Sequence, residues 1–157
     1  ATACSHAMER ASDPRWGRFE GTMGEDPDVV SDLAKSYVDG FQSTKTKGRG
    51  FNSVNTMIKH WPGGGSGEGG RDGHYGFGSY AVYPGDNIEE HMKIFTEGAL
   101  NLRGSTLKAS AIMPYYTIAV GNGENVGSAY NSYLINNILR DKYQYDGVLC
   151  TDWGITG

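Results

Sequence analysis

The chain has 157 residues, of which 38% are hydrophobic and 20% are charged, an ordinary composition for a globular domain. Its formal net charge of −4 argues against a nucleic acid as the main partner, because phosphate binding needs a basic surface. No apolar run approaches the ~20 residues of a membrane-spanning helix, so no membrane segment is predicted, and no feature indicates a cellular compartment.

A charged segment, residues 13–20, precedes the first predicted helix and contains Trp16 and two arginines, Arg15 and Arg18. One interpretation is a solvent-exposed loop with a single structural ion pair. The other is a loop in which one arginine faces a pocket, because a guanidinium group offers several hydrogen-bond donors in a fixed plane. The sequence leaves both interpretations open.

The first helix is predicted to begin at Asp26, because aspartate is a favourable N-cap residue and Pro27 suits the first helical position. Apolar residues recur on one face of this helix at helical spacing, and we expect that face to be buried. The face consists of Val30, Leu33, Ala34, Tyr37, Val38 and Phe41.

The first predicted strand, residues 54–58, ends directly before Lys59 and His60. Burying a lysine without a partner is costly, so this pair indicates a polar site more than a core position. The connection that follows, residues 61–85, holds ten glycines and shows no periodicity. Such a connection is typical of a functional loop or of disorder, and its position favours an active-site loop.

The second helix is predicted to begin at Asp86, with Glu89 three residues later in a pattern close to a capping box. The apolar positions of this helix are Ile88, Met92, Phe95 and Ala99. A second strand is predicted at residues 110–113. Tyr115 and Tyr116 follow it closely and are expected at the same edge of the sheet as Lys59.

The third helix is predicted to begin near Asn131 and carries Arg140 and Lys142 near its end, where cations suit the helix dipole. Its apolar positions are Leu134, Ile135, Ile138 and Leu139. A third strand, residues 148–151, ends directly before Asp152.

Helices and strands alternate along the chain, which predicts an α/β fold with about three parallel strands and flanking helices. The C-terminal ends of parallel strands lie at one edge of a sheet, where catalytic groups collect. Lys59, His60, Tyr116 and Asp152 are therefore expected in one basin suited to a hydroxyl-rich ligand, where the lysine would favour the ionised aspartate. Three strands are too few for a closed barrel of ~250 residues, so the chain is either a small open sheet or a piece of something larger, and we expect the piece.

Each of these site residues also has a structural interpretation. Asp152 can be a helix N-cap, and His60 can be a core histidine. Asp72 and His74, in the glycine-rich connection, can be catalytic or merely solvated. The two cysteines lack the C-x-x-C spacing of zinc sites, and neither a metal nor another cofactor is predicted.

Four motifs occur in order along nearly the whole chain, at residues 13–20 (DPRWGRFE), 24–27 (GEDP), 59–65 (KHWPGGG) and 151–154 (TDWG). In this order they resemble glycoside hydrolase family 3, in its β-glucosidase type. The resemblance implies an incomplete (β/α) TIM-type barrel from the N-terminal catalytic domain of an enzyme. That enzyme would remove terminal β-D-glucosyl residues from oligosaccharides or β-glucosides with retention, without a cofactor.

The resemblance also implies roles for six residues of this chain. Asp152 matches the nucleophile that forms the covalent glycosyl–enzyme intermediate. Arg18, Lys59 and His60 match residues that hold sugar hydroxyls. Tyr116 matches a tyrosine beside the nucleophile, and Trp153 matches an aromatic wall for the leaving group.

The chain also departs from the family pattern. The acid/base glutamate of this family usually comes from a second α/β domain, which this chain lacks. A sugar-binding aspartate of the first barrel loops would precede Ala1. We therefore expect residues 1–157 to be a fragment of the barrel domain, to hydrolyse an aryl β-glucoside negligibly when isolated, and to need the missing domain of the same polypeptide.

Three alternatives stay open at this point. One is a β-xylosidase of the same family. Another is a β-N-acetylhexosaminidase, because Asp72-Gly73-His74 resembles the Asp-x-His acid/base of those relatives. The third is a non-catalytic carbohydrate-binding module, which would keep Arg18, Lys59 and His60 but have no use for a nucleophile.

Overall fold

The computed structural model describes residues 4–45 and 48–155. These residues contain six strands: β1 (Cys4–Ala7), β2 (Thr56–Trp61), β3 (Tyr80–Ala81), β4 (Ala111–Pro114), β5 (Ile118–Ala119) and β6 (Val148–Leu149). The main sheet is parallel throughout, in the order β1-β2-β4-β6, and β3 pairs with β5 in a separate parallel sheet. The prediction of parallel strands with flanking helices is confirmed.

Helix α1 (Pro27–Gln42) begins where the sequence predicts. The Oδ1 atom of Asp26 accepts hydrogen bonds from the backbone N–H groups of Asp28 and Val29, at 2.9 and 3.0 Å. The buried face of the helix is narrower than predicted, because Leu33 and Phe41 are 46% and 37% exposed. The buried residues are Val30, Ser31, Ala34, Val38 and Gln42.

The side chain of Gln42 joins α1 to the N-terminal ends of two strands. Its Oε1 atom accepts hydrogen bonds from Thr56 Oγ1 at 2.7 Å and from the backbone N–H of Ser110 at 2.9 Å. Its Nε2 atom donates to Thr106 Oγ1 and to the Lys108 carbonyl. A buried amide with these partners fixes the position of the helix along the strands.

The second helix begins at Ile88, and the predicted capping box is wrong. Asp86 has a φ of 59°, which places it in a tight turn, and no side chain caps the helix at Asn87. Helix α2 (Ile88–Lys93) continues as a π-helical segment, Ile94–Ala99. The predicted apolar positions are all buried, namely Ile88, Met92, Phe95 and Ala99.

The π-helical segment packs closely against α1. A Cβ atom at Gly98 would lie 3.0 Å from the Ser31 carbonyl oxygen and 3.3 Å from the Ala34 Cβ, so glycine permits this approach. The core continues between these helices and the main sheet. Its fully buried members include Val30, Ala34, Val38, Ile58, Ile94, Phe95, Ile112, Leu134 and Leu139.

The third helix is a π-helix, Tyr133–Lys142, and its predicted start near Asn131 is confirmed. The Asn131 Oδ1 atom accepts a hydrogen bond from the Leu134 backbone N–H at 3.1 Å. Near the end of the helix, the Arg140 guanidinium donates to the carbonyl oxygens of Tyr145 and Gly147, which holds the turn before β6.

The strand bounds differ from the predicted ones. Strand β2 extends to Trp61, so Lys59 and His60 lie within the strand, where Lys59 pairs with Ala7 and Met113. Strand β6 is shorter than predicted. Strand β1 was not predicted at all, because its residues form no apolar run. The peptide bonds Lys59–His60 and Trp61–Pro62 are cis.

The glycine-rich connection is ordered rather than structureless. It forms short 3₁₀ turns at Gly64–Ser66, Glu68–Gly70 and Gly76–Gly78, and its first turn is buried. Within the ranges that the structure describes, no helix has the length and apolar character required to cross a membrane.

Candidate active site

Side chains from all four strands of the main sheet meet at its C-terminal edge. Glu9 follows β1, His60 lies at the end of β2, Tyr115 and Tyr116 follow β4, and Asp152 follows β6. In parallel α/β folds this edge is where ligands bind. The structure therefore brings His60, Tyr116 and Asp152 together at this edge, as expected from the sequence, and adds Glu9, which the sequence analysis missed.

His60 and Asp152 face each other in the interior of this edge. The Nε2 atom of His60 lies 3.3 Å from the Oδ2 atom of Asp152, and the two residues are 0% and 5% exposed. The Asp152 Oδ1 atom accepts a hydrogen bond from the Trp153 backbone N–H at 2.8 Å. The two facing atoms do not meet hydrogen-bond geometry, and within the described ranges neither has another hydrogen-bond partner. Both atoms are therefore available to a ligand.

Glu9 is fully buried and holds the other side of the His60 ring. Its Oε1 atom accepts hydrogen bonds from His60 Nδ1 at 2.9 Å, from the His60 backbone N–H at 3.0 Å and from the Gly64 backbone N–H at 2.7 Å. A side chain at Gly64 would collide with this carboxylate, which explains the glycine in the first turn after β2. The only sequence signal for Glu9 is its position just after a strand, and that strand, β1, was not predicted.

Asp72 and His74 form a dyad at the opening of the site. Their Oδ1 and Nδ1 atoms are 2.6 Å apart, and the Tyr115 hydroxyl donates to the same Oδ1 atom at 2.9 Å. Burial is the largest single influence on the Asp72 pKa and raises it. The hydrogen bonds from His74 and Tyr115 together outweigh burial and lower this pKa below its usual value. Burial and the nearby carboxylates raise the pKa of Tyr115.

The dyad also approaches Asp152, since His74 Nε2 lies 3.6 Å from Asp152 Oδ2. The Arg18 Nη1 atom is 2.8 Å from His74 Nε2. An arginine can only donate, and the closer of its two ring contacts is to Nε2, so this geometry suits a ring whose Nδ1 donates to Asp72.

The segment 13–20 contains both a structural ion pair and an arginine that faces the pocket, and these involve different arginines. Arg15 pairs with Asp13 at 2.7 Å, and hydrogen bonds from Arg15 lower the pKa of Asp13 to about 2. Arg18 instead reaches the site through its contact with His74.

The remaining residues of the predicted site lie around this centre. The Tyr116 hydroxyl donates to the Trp153 carbonyl, and burial followed by the Asp152 charge raises the Tyr116 pKa. The Trp153 side chain is 77% exposed at the rim. Lys59 is half-buried, and across the described part of the chain its side chain makes no hydrogen bond or ion pair. The predicted contact between Lys59 and Asp152 is therefore not seen.

A cavity of about 670 Å³ opens beside the dyad. Exposed aromatic rings of Tyr75 and Phe77 line it, parallel to each other with centroids 5.3 Å apart. Charged and polar side chains complete the lining, namely Arg18, Arg71, Asp72 and His74. Flat apolar faces beside hydrogen-bonding groups suit a sugar, which presents both C–H faces and hydroxyls.

Three side chains of the site could also hold a metal ion. Nitrogen and oxygen atoms of His60, His74 and Asp152 lie within 4.8 Å of one another. The sequence analysis predicted no metal site, because these residues come from three separate segments and form no spacing motif.

The family model for the “Glycosyl hydrolase family 3 N terminal domain” matches residues 7–157. Beta-glucosidase C of Emericella nidulans is 40% identical over 149 residues, which cover 94% of this chain and 23% of that protein. A periplasmic beta-glucosidase/beta-xylosidase of Dickeya chrysanthemi is 39% identical over 160 residues, covering 98% of this chain and 23% of that protein. The chain thus spans less than a quarter of the length of these relatives.

Solved structures give the same result for the fold. A β-glucosidase from Erythrobacter marinus matches 97% of this chain and 18% of its own, with a TM-score of 0.76 and 27% identity. A β-glucosidase from Listeria innocua in complex with glucose matches 98% of this chain and 20% of its own, with a TM-score of 0.79. At 24% identity the second likeness concerns the fold alone. The predicted fold class, part of a (β/α) TIM-type barrel, is confirmed.

Proposed function

Because this chain belongs to glycoside hydrolase family 3, we propose that the full-length protein cleaves terminal β-D-glucosyl residues by retaining double displacement, with Asp152 as nucleophile. The observation that carries this proposal is the Asp152 carboxylate. Its Oδ1 atom is held by the Trp153 backbone N–H, while its Oδ2 atom has no hydrogen-bond partner in the described residues and faces the His60 imidazole. One oxygen is thus fixed and the other is available to attack.

In the first step, Asp152 Oδ2 attacks the anomeric carbon of the sugar and the glycosidic oxygen leaves with a proton from an acid. In the second step, a water molecule deprotonated by the same group releases the sugar with net retention. Retaining chemistry needs a second carboxyl group ~5–5.5 Å from the first. We assign that role to a glutamate of a second α/β domain of the same polypeptide.

Sugar binding falls to the side chains around Asp152. His60 Nε2 offers a buried hydrogen-bonding atom, and Arg18, held by His74, offers guanidinium donors. Lys59 would donate a hydrogen bond to a sugar hydroxyl, because its amino group makes no hydrogen bond or ion pair with the described residues. Tyr116 and Trp153 would shape the rim where the leaving group departs.

Residues 1–157 alone are expected to be inactive, because the acid/base residue and further barrel strands would lie outside them. Kinetic assay of the isolated segment on an aryl β-glucoside tests this expectation. Turnover at the rate of the full-length protein would contradict it.

Substitution of Asp152 tests the proposed reaction. The Asp152→Asn variant of the full-length protein is expected to lose at least about 10³-fold in kcat, because an amide oxygen is a poor nucleophile. Asp146→Asn, at an exposed position before β6, is the matched control and should retain full activity. Assays on aryl β-glucosides and β-xylosides also separate these two substrates, since the Dickeya relative is named for both. Full activity of Asp152→Asn would exclude the mechanism.

A second candidate function is β-N-acetylhexosaminidase activity, and the observation that favours it is the Asp72–His74 dyad. His74 Nδ1 is held by Asp72, and Nε2 lies 3.6 Å from the Asp152 carboxylate, a suitable place for an acid/base. This candidate predicts faster cleavage of aryl N-acetylglucosaminides than of glucosides by the full-length protein. It also predicts that His74→Ala loses activity most on substrates with poor leaving groups. A preference for glucosides that His74→Ala leaves unchanged would eliminate this candidate.

A further inference from the structure

We propose that His60, His74 and Asp152 form a three-ligand Zn²⁺ site, so that zinc and a sugar exclude one another from this pocket. The zinc site itself stands on geometry alone, whereas its effect on sugar binding rests on the proposed function.

Two of the three spacings between the ligand atoms suit a tetrahedral ion, and all three atoms lie within 4.8 Å of one another. His60 Nε2 and His74 Nε2 lie 3.3 and 3.6 Å from Asp152 Oδ2. Bonds of about 2.0–2.1 Å in a tetrahedron separate ligand atoms by about 3.4 Å. Two imidazole nitrogens and one carboxylate oxygen are ligands that zinc accepts, and three protein ligands leave a fourth position for water.

Both histidines are oriented as zinc ligands usually are. A metal-binding histidine commonly donates its second ring N–H to a carboxylate, which fixes the tautomer and aims the other nitrogen at the metal. His60 Nδ1 lies 2.9 Å from Glu9 Oε1, and His74 Nδ1 lies 2.6 Å from Asp72 Oδ1. Two separate carboxylates therefore direct two Nε2 atoms towards the same oxygen of Asp152.

Two of the three ligand atoms are buried and lack hydrogen-bond partners in the described residues. These are His60 Nε2 and Asp152 Oδ2, whose side chains are 0% and 4% exposed. A buried polar atom without a partner is costly, so a cation between them would be favourable. The third atom, His74 Nε2, is engaged by Arg18, which would have to turn away. Arg18 lies at the cavity, where its guanidinium has space to move.

Zinc at this position would coordinate the oxygen that we assign as nucleophile. The ion would hold Asp152 Oδ2 and His60 Nε2, the two free atoms offered to the sugar. Sugar binding and zinc binding therefore compete for the same atoms.

Titration of the metal-free full-length protein with ZnCl₂ in a calorimeter tests the site. We expect one Zn²⁺ per chain, and tetrahedral coordination in the visible spectrum when Co²⁺ replaces it. His74→Gln should weaken zinc binding more than about tenfold, and Asp72→Asn about tenfold, because it removes the carboxylate behind a ligand. Asp13→Asn, which alters the neighbouring Asp13–Arg15 pair, is the matched control and should leave the affinity unchanged.

No zinc binding, or binding that His74→Gln leaves unchanged, would overturn the proposal. Glucose added during the titration separates this proposal from the proposed function. Weaker zinc binding in glucose supports a shared pocket. Zinc binding that depends on His74 but ignores glucose would leave the metal site standing and count against Asp152 as part of the sugar site.

Discussion

The Nε2 atom of His60 lies 3.3 Å from the Oδ2 atom of Asp152 at the C-terminal edge of the parallel sheet. Neither atom is hydrogen-bonded within the described chain, yet both are buried. The opposite side of the His60 ring is held by Glu9, a carboxylate with no access to solvent. The position of His60 relative to Asp152 therefore depends on Glu9.

Replacing Glu9 with glutamine tests this dependence. The amide oxygen still accepts from the Gly64 and His60 backbone N–H groups, but it is a weaker acceptor for the ring Nδ1 than a carboxylate oxygen. Because a displacement of about 1 Å near the reacting atoms can cost ~10²-fold, we expect kcat/KM to fall by about 10²-fold on an aryl β-glucoside. The thermal midpoint of the full-length protein should not fall in parallel.

The matched control for this substitution is Glu25→Gln, at an exposed position before α1, which should change neither quantity. If Glu9→Gln kept its kcat/KM, or lost activity only in proportion to lost folded protein, Glu9 would have no positioning role.

His91 predicts a pH-dependent stability. Burial lowers its pKa to about 4 in the folded protein, from 6.5, with a further lowering from Arg10. Between these two values the unfolded chain binds a proton that the folded chain does not, so stability falls as pH decreases. The difference corresponds to about 3 kcal/mol between pH 7 and pH 4.

The free energy of unfolding of the wild type, minus that of the His91→Gln variant, should decrease as the pH is lowered from 7 to 4. Comparing the two proteins at each pH cancels the titration of the other groups. A difference that stays constant from pH 7 to pH 4 would show that His91 titrates normally in the folded state.

Gln42 predicts a large loss of stability on substitution. Gln42→Leu fills a similar volume but removes the acceptor of the Thr56 hydroxyl and of the Ser110 backbone N–H. Each buried group left unsatisfied costs about 1–3 kcal/mol, so we expect a loss of at least about 3 kcal/mol in denaturant unfolding. Ser36→Leu on the exposed side of α1 is the control, expected within about 0.5 kcal/mol of wild type. Equal effects of the two substitutions would argue against the Gln42 network.

Local patterns in the sequence account for much of this fold. The N-cap at Asp26, the buried face of the second helix and the start of the third helix all follow from residue spacing. Alternation of helices and strands gives the parallel sheet, and the strand ends give the location of the site. These features depend on neighbours within a few turns of chain, which the sequence displays directly.

Other features depend on contacts between distant segments and could not be predicted. Strand β1 has no apolar run to mark it, and Glu9 acquires its role only when β1 lies beside β2. The glycine-rich connection is ordered because its first turn packs against that carboxylate through Gly64. The sequence shows Asp72 and His74 as an Asp-x-His pattern, but it does not show that His74 approaches Asp152, which lies about 80 residues later in the sequence.

Trapping of the covalent intermediate tests the role of Asp152 most directly. The full-length protein is incubated with a 2-deoxy-2-fluoro-β-glucoside carrying a good leaving group, and the labelled peptide is identified by mass spectrometry. The expected result is a single fluoroglucosyl group on Asp152, with inactivation slowed by glucose. A label on another carboxylate, or sugar binding and turnover without any label on Asp152, would contradict the assignment.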